Sequence, residues 1–334
     1  MKNNDNGNRG NCFDLIRHFA ALLVLYSHHY PMLKRPEPSI RHWESYGFIA
    51  VAIFFSISGY FMPASFVRSG NFLNFIGRRL KRLLPALVVC SFIITYVIGT
   101  IFTSTPTWEY LTSRWTLGTF ASWATFLGRS IPGVFSNFLM PNAIDGSLWT
   151  LPIELLCYVV IGTALSFSQS WKMALFLFVA AVLGTAWVVH VDTSFNFYSV
   201  PLNFFLIFGI CFSGGSLLAM TKDAWFSARI PLLIFAILSI WLMRGRVEIN
   251  IFGMLGITLI TVIIGESAKD KFIKGKFDIS YGIYIYAFPI QQLVINEITH
   301  RLWLGMLISL VFTLVAGYLS YQFVEKRFLH KNNY

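Results

Sequence analysis

Apolar residues run through this chain in blocks of about 20, each long enough to cross a bilayer's hydrocarbon core as a helix. The blocks lie at 14–33, 46–66, 84–103, 148–167, 172–190, 198–220, 228–244, 248–266, 279–298 and 302–325. They predict an all-α, polytopic transmembrane helix bundle of about ten spans. The segment 115–140 is also apolar, but Gly128, Pro132 and Gly133 interrupt it. It reads equally as a further span, a re-entrant helix or an interfacial loop. Residues 1–11 read as a disordered cytoplasmic tail, 12–328 as one transmembrane domain and 329–334 as a second cytoplasmic tail.

Composition agrees. Charged residues make up 12% of the chain and hydrophobic residues 56%, with a mean hydropathy of +0.62. Soluble domains carry about 25% charge, so this surface must face lipid. A net charge of +11 would point to nucleic acid in a soluble protein. Here the cations fall between apolar runs and set orientation instead. With the N-terminus in the cytoplasm, the inner loops carry most of the Lys and Arg, including Arg78, Arg79, Lys81 and Arg82. This places both termini inside. Cys12, Cys90, Cys157 and Cys211 are far apart and form no CxxC or Cys/His cluster, so they read as small buried hydrophobes, with neither a disulfide framework nor a metal site.

Candidate chemistry lies in the polar groups that interrupt the apolar runs, because each costs insertion energy. The first span holds Asp14, Arg17 and His28. Eleven residues separate Arg17 from His28, which returns them to within about 20° of one helix face, roughly 16 Å apart along the axis. Asp14, one turn below, can pair with Arg17; His29 points elsewhere. The bland reading is a snorkelling Arg17 and a His28 bonded to a neighbouring helix. In the second span, Phe54-Phe55-x-x-Ser58-Gly59 is explained by close helix packing alone. Arg78, Arg79 and Arg82 suit a phosphate-bearing anion, or serve as a topology signal touching anionic lipid.

The fourth span opens with Ser147, Trp149, Thr150, Pro152, Glu154 and Tyr158. Ser147 or Thr150 can cap the helix. Glu154 and His28 both lie toward the outer face, as a general acid–base pair or with Glu154 in a structural salt bridge. In the ninth span Tyr281, Tyr284, Gln291 and Gln292 line a helix that Pro289 is expected to kink. The hydroxyls, amides and rings suit a sugar; a plain kinked helix explains them equally.

Taken in order, these elements resemble the acyltransferase-3 family of integral membrane O-acyltransferases, over about residues 12–328. Arg17 and His28 match its Arg-x10-His motif, and Phe54, Phe55, Ser58 and Gly59 its Phe-Phe-x-x-Ser-Gly motif. Arg78, Arg79, Arg82 and Pro85 resemble its Arg-Arg-x-x-Arg-x-x-Pro pattern, and Trp149, Glu154 and Tyr158 its Trp-x4-Glu-x3-Tyr segment. Ser280, Tyr281 and Tyr284 match its Ser-Tyr-x-x-Tyr element, and Glu325 its closing Glu. The chain departs from the pattern at Ala287, where many members carry a second His, and at Arg327, where many carry Pro. It also lacks the fused extracellular SGNH-type domain of some members, which implies direct delivery to the acceptor.

The resemblance implies a multi-pass protein of the bacterial cytoplasmic membrane. It would move an acyl group, most often acetyl from cytoplasmic acetyl-CoA, to a hydroxyl of a cell-surface polysaccharide or its lipid-linked precursor, without a metal. Arg78, Arg79 and Arg82, with Arg17, would bind the CoA phosphates. His28 would serve as general base or carry the acyl group briefly, with Glu154 orienting it. Ser58, Trp149, Tyr158, Tyr281, Tyr284 and Gln291 would contact substrate. The rival expectation is a polysaccharide transporter or flippase without acyl transfer. It is weakened by the absence of matching broken helices in two halves.

Overall fold

The structure, a computed structural model, describes residues 11–127, 133–191, 195–198, 200–273, 275 and 277–329. The expected tails lie almost wholly outside these residues, as do Gly128, Arg129 and Pro132 of the 115–140 segment.

Among the described residues there are ten long helices: α1 Phe13–Met32, α2 Tyr46–Ser69, α3 Phe72–Phe92, α4 Leu151–Phe167, α5 Trp171–Val191, α6 Leu202–Met220, α7 Arg229–Met243, α8 Ile249–Ser267, α9 Ser280–Leu293 and α10 Leu302–Ser320. The extended structure is one two-stranded hairpin, Asn196–Phe197 with Val200–Pro201. Eight helices are long and apolar enough to span: all but α1 and α9. Those two form where the sequence predicts spans, but their polar side chains lower their apolarity, which is where chemistry is expected to sit. The chain is an all-α, multi-pass membrane protein.

Three expectations change. The third helix begins at Phe72, well before residue 84, and continues through a π-helical turn, Ile93–Ile98, to Phe102. Gly70, left-handed at φ 74°, ends α2, and Asn71 starts α3 by accepting a hydrogen bond from the Asn74 N–H at 2.9 Å. Arg78, Arg79 and Arg82 therefore sit on this helix, within its first three turns. In 115–140 the described helix is Arg114–Ala124; at 1.5 Å per residue its 11 residues are too short to span. Finally, Ser147 and Thr150 do not cap α4: a 3₁₀ turn, Leu148–Thr150, leads into it and makes no side-chain cap bond.

The chain forms two compact units. The first comprises residues 1–20, 39–77 and 153–278 and the second 21–38, 78–152 and 279–334, so α1 contributes to both. In the first unit α2 lies directly against α6. A β-carbon on Gly59 would overlap the Phe212 carbonyl oxygen, and one on Gly215 the Ser56 carbonyl oxygen. Ser216 Oγ donates to the Gly59 carbonyl at 2.8 Å across the same crossing. The Gly of the Phe-Phe-x-x-Ser-Gly motif is thus a helix-contact residue. Gly59→Ala is expected to reduce the amount of folded protein in the membrane severely, measured by detergent-solubilised yield; normal yield would show that the helices part at no cost. The start of α1 is clamped nearby, with the Phe13 and Tyr60 rings stacked at 5.0 Å in a core that includes Ile57, Leu259 and Val262.

In the second unit α9 and α10 approach backbone to backbone at Gly282 and Gly317. Side chains of α9 and of the π-helical turn after it, Val294–Ile298, hold the connection that leads to α4. Gln292 Nε2 donates to the carbonyls of Met140 (3.0 Å) and Ala143 (2.6 Å). Asn296 Oδ1 accepts from the Leu139 N–H at 2.8 Å. Farther back, the Tyr110 hydroxyl donates to the Thr95 carbonyl at 2.7 Å, and burial pushes its pKa up to about 12. All four cysteines are buried and unpaired.

Candidate active site

The polar residues singled out in the sequence gather in separate clusters. In the first unit, Arg17 Nη1 lies 3.6 Å from Asp14 Oδ1 and 3.9 Å from Asp278 Oδ2. Its guanidinium stands 5.2 Å from the centre of the Phe61 ring. The expected Asp14 pairing forms, and Asp278 adds a second counter-charge to a largely buried cation. Also in the first unit, Glu154 Oε1 accepts from the Ser58 hydroxyl at 2.9 Å and from the Tyr158 hydroxyl, one helical turn on. Ser58 and Tyr158, expected to contact substrate, are here the donors that orient a carboxylate.

His28 belongs to the second unit. It is half-buried on α1, edge-on to the Phe288 ring with centroids 5.5 Å apart. Its Nδ1 lies 3.4 Å from Ser147 Oγ. That is long for a hydrogen bond, though catalytic contacts are often loose before substrate binds. Ser147 is itself braced: its carbonyl accepts from the Tyr284 hydroxyl at 2.6 Å, and that hydroxyl is 2.6 Å from Thr150 Oγ1. Tyr284 therefore fixes the segment facing His28. Tyr281 donates to the Leu83 carbonyl at 2.9 Å. Gln291 donates to the Leu25 carbonyl at 2.8 Å and meets His29 Nδ1 at 3.0 Å. His29 is thus fully buried in helix contact. Trp149 is 37% exposed, and among the expected substrate contacts it keeps the most open face.

Asp145 escaped notice in the sequence, where Asp-Gly reads as a turn. It is buried, and its Oδ1 accepts the Ser147 N–H at 2.8 Å. Its Oδ2 has no partner among the described residues. Burial holds the carboxyl well above the usual carboxylate range, against the pull of the Ser147 N–H. Gly146 is required beside it, since a β-carbon there would come within 2.5 Å of the buried Phe288 ring.

Arg78, Arg79 and Arg82 are half-buried on α3 in the second unit, and Lys81 is exposed. Among the described residues, no three His, Cys, Asp or Glu side chains converge as metal ligands would.

Comparison with known proteins points one way. The family model described as "Acyltransferase domain" matches residues 11–322. An O-acetyl transferase of Shigella phage Sf6 is 35% identical over 331 residues, covering 97% of this chain and 98% of that protein. Nodulation protein 10 of Rhizobium leguminosarum bv. viciae is 27% identical over 353 residues, covering 96% and 93%. No solved structure matches.

Proposed function

The chain belongs to the acyltransferase-3 family and is a membrane O-acyltransferase, and from that premise we propose that it moves an acetyl group from acetyl-CoA to a hydroxyl of a cell-surface polysaccharide or its lipid-linked precursor, in the cytoplasmic membrane of a bacterium. The similarity to an O-acetyl transferase over nearly the whole chain supports acetyl as the group carried. Family membership displaces the transporter reading.

The observation that carries the mechanism is His28, an imidazole on α1 faced by a braced hydroxyl. His28 takes the proton of the acceptor hydroxyl as that oxygen bonds to the thioester carbonyl carbon. The carbon–sulfur bond breaks, and the CoA thiolate recovers the proton from the imidazolium. Glu154 supplies a fixed negative charge, oriented by Ser58 and Tyr158, and Arg17 a cation balanced by Asp14 and Asp278. Trp149, 37% exposed, offers an aromatic ring to a sugar. The phosphates of CoA engage Arg78, Arg79 and Arg82, whose planar forks suit phosphate oxygens. Removing two of these cations (Arg79→Ala with Arg82→Ala) is expected to raise the KM for acetyl-CoA about tenfold or more, with a smaller change in kcat. An unchanged KM would take the donor elsewhere.

The deciding experiment is mass spectrometry of surface polysaccharide from cells with and without the protein. Loss of one acetyl mass per acetylated residue is the expected difference. Identical spectra would overturn this acceptor class.

A further inference from the structure

We propose that residues 103–127 re-enter the bilayer beside α3 and reach its midplane, and that the outward face of the helix Arg114–Ala124 binds lipid hydrocarbon.

Depth can be measured along α3. Its apolar run, 84–103, begins just past Lys81 and Arg82. At 1.5 Å per residue that run is about 30 Å long, the thickness of one hydrocarbon core. Residues 92–96 therefore lie near the midplane, and Phe102 near the membrane surface opposite Lys81 and Arg82. Beyond Phe102 the chain turns back along the helix it has just left. The Tyr110 hydroxyl reaches the Thr95 carbonyl inside the π turn at 2.7 Å. Gly99 makes room for it, since a β-carbon there would overlap that hydroxyl oxygen. The helix Arg114–Ala124 follows, with Cα atoms within 8 Å of those of Ile93–Ile98. The Phe120 ring lies 5.8 Å from the Tyr96 ring and 6.4 Å from the Phe92 ring. A residue that follows the end of the span is thus packed at its middle. Residues 133–135 are again level with the end of α3. Thr103 pairs with Val134 in a β-bridge, the Ser104 N–H donates to the Gly133 carbonyl at 2.9 Å, and the Phe102 and Phe135 rings are 5.5 Å apart. Departure and return share one neck.

The polarity of the helix says what covers its free face. A helix on the surface of a soluble domain turns its polar residues outward. Here the order is reversed. Thr116 and Thr119 are 2% exposed and Ser122 is buried, whereas Trp115 and Leu117 are 57% and 59% exposed, with Ala121 open beside them. No charged residue occurs from Trp115 to Leu127. Glu109 and Arg114 precede this stretch, and the exposed Trp108 beside them suits the headgroup level. The hydroxyls of Thr112, Thr119, Ser122 and Thr125 each donate to the carbonyl four residues back, as a medium without water requires. The 11 residues of the helix measure about 16 Å, half the hydrocarbon core.

The test uses the full chain in phosphatidylethanolamine–phosphatidylglycerol vesicles. Leu117→Cys, Ala121→Cys, Ile101→Cys and Glu109→Cys are made singly and labelled with a nitroxide. All four positions are exposed, so the label displaces no packing. The parent, whose four cysteines are buried, gives the background. Power saturation measures collisions with oxygen, which concentrates in hydrocarbon, and with a nickel chelate, which stays in water. The oxygen-to-nickel ratio at Leu117→Cys and Ala121→Cys is expected to be about tenfold or more above that at Glu109→Cys. It should also exceed that at Ile101→Cys, although Ile101 lies within the span and Leu117 beyond its end. Nickel access at Leu117→Cys and Ala121→Cys equal to that at Glu109→Cys would place the helix in water and overturn the inference. Collisions with neither reagent would mean that protein, such as a second copy of the chain, covers the face, which overturns the lipid contact. Labels at both helix positions no deeper than at Ile101→Cys would overturn re-entry. If Leu117→Cys does not insert, Ala121→Cys decides the matter.

Discussion

Replacing His28 with alanine is expected to lower acyl transfer by about 10³-fold or more while the protein stays folded in the membrane. The two halves of that statement have separate grounds. The loss follows from removing the group proposed to accept the substrate proton. The retained fold follows from how little His28 holds in place: one long contact to Ser147 and one edge-on contact to Phe288. Together these are worth about 1–2 kcal/mol. The neighbouring imidazole supplies the control. His29 is fully buried and bonded to Gln291, so His29→Ala should reduce melting temperature and yield, with activity per folded molecule largely kept. Radiolabel transfer and thermal melting of each purified variant separate the two. Equal activity of His28→Ala and the parent would end the assignment.

Glu154→Gln is expected to lower transfer by about a hundredfold with little change in melting temperature, whereas Glu154→Ala should lose both activity and stability. Glu154 sits near the start of α4, and one of its oxygens accepts from both Ser58 and Tyr158. Glutamine keeps an accepting oxygen and removes only the charge. Alanine strands two hydroxyls, one of them on the buried Tyr158, at about 1–3 kcal/mol for each group left unsatisfied. Tyr158→Phe tests the orienting role: it keeps the charge, frees one side of the carboxylate and should give an intermediate rate. If glutamine at 154 left the rate intact, the negative charge would have no part in the reaction.

Most helices are legible in the sequence because a spanning helix needs little more than a long apolar run, and here nearly every run becomes a helix within a few residues. The start of α3 was missed because its first turns carry Arg and Lys, which a hydropathy pattern counts against a span. The signals that reveal its start are instead Gly70 and Asn71. Among the candidate residues, Glu154 and Tyr158 are one turn apart and their contact could be foreseen, as could Arg17 with Asp14. Ser58 lies 96 residues from Glu154, and only the tertiary fold makes it a partner. Asp145 was hidden for a different reason. Asp-Gly is ordinary turn chemistry, and no local pattern announces that a turn will be buried with a carboxyl inside it. His29 shows the converse: adjacent histidines look alike in sequence, yet one faces the Ser147 hydroxyl and the other is locked among helices.

The backbone contact at Gly282 and Gly317 has a practical consequence for mapping this enzyme. A β-carbon on Gly282 would come within 2.8 Å of the Gly317 Cα, leaving no side-chain layer that could yield. Random mutagenesis scored only by product will therefore flag these glycines as strongly as His28, although they lie far from it in sequence and carry no reactive group. Scoring each clone for inserted protein as well would sort the hinge pins from the machinery.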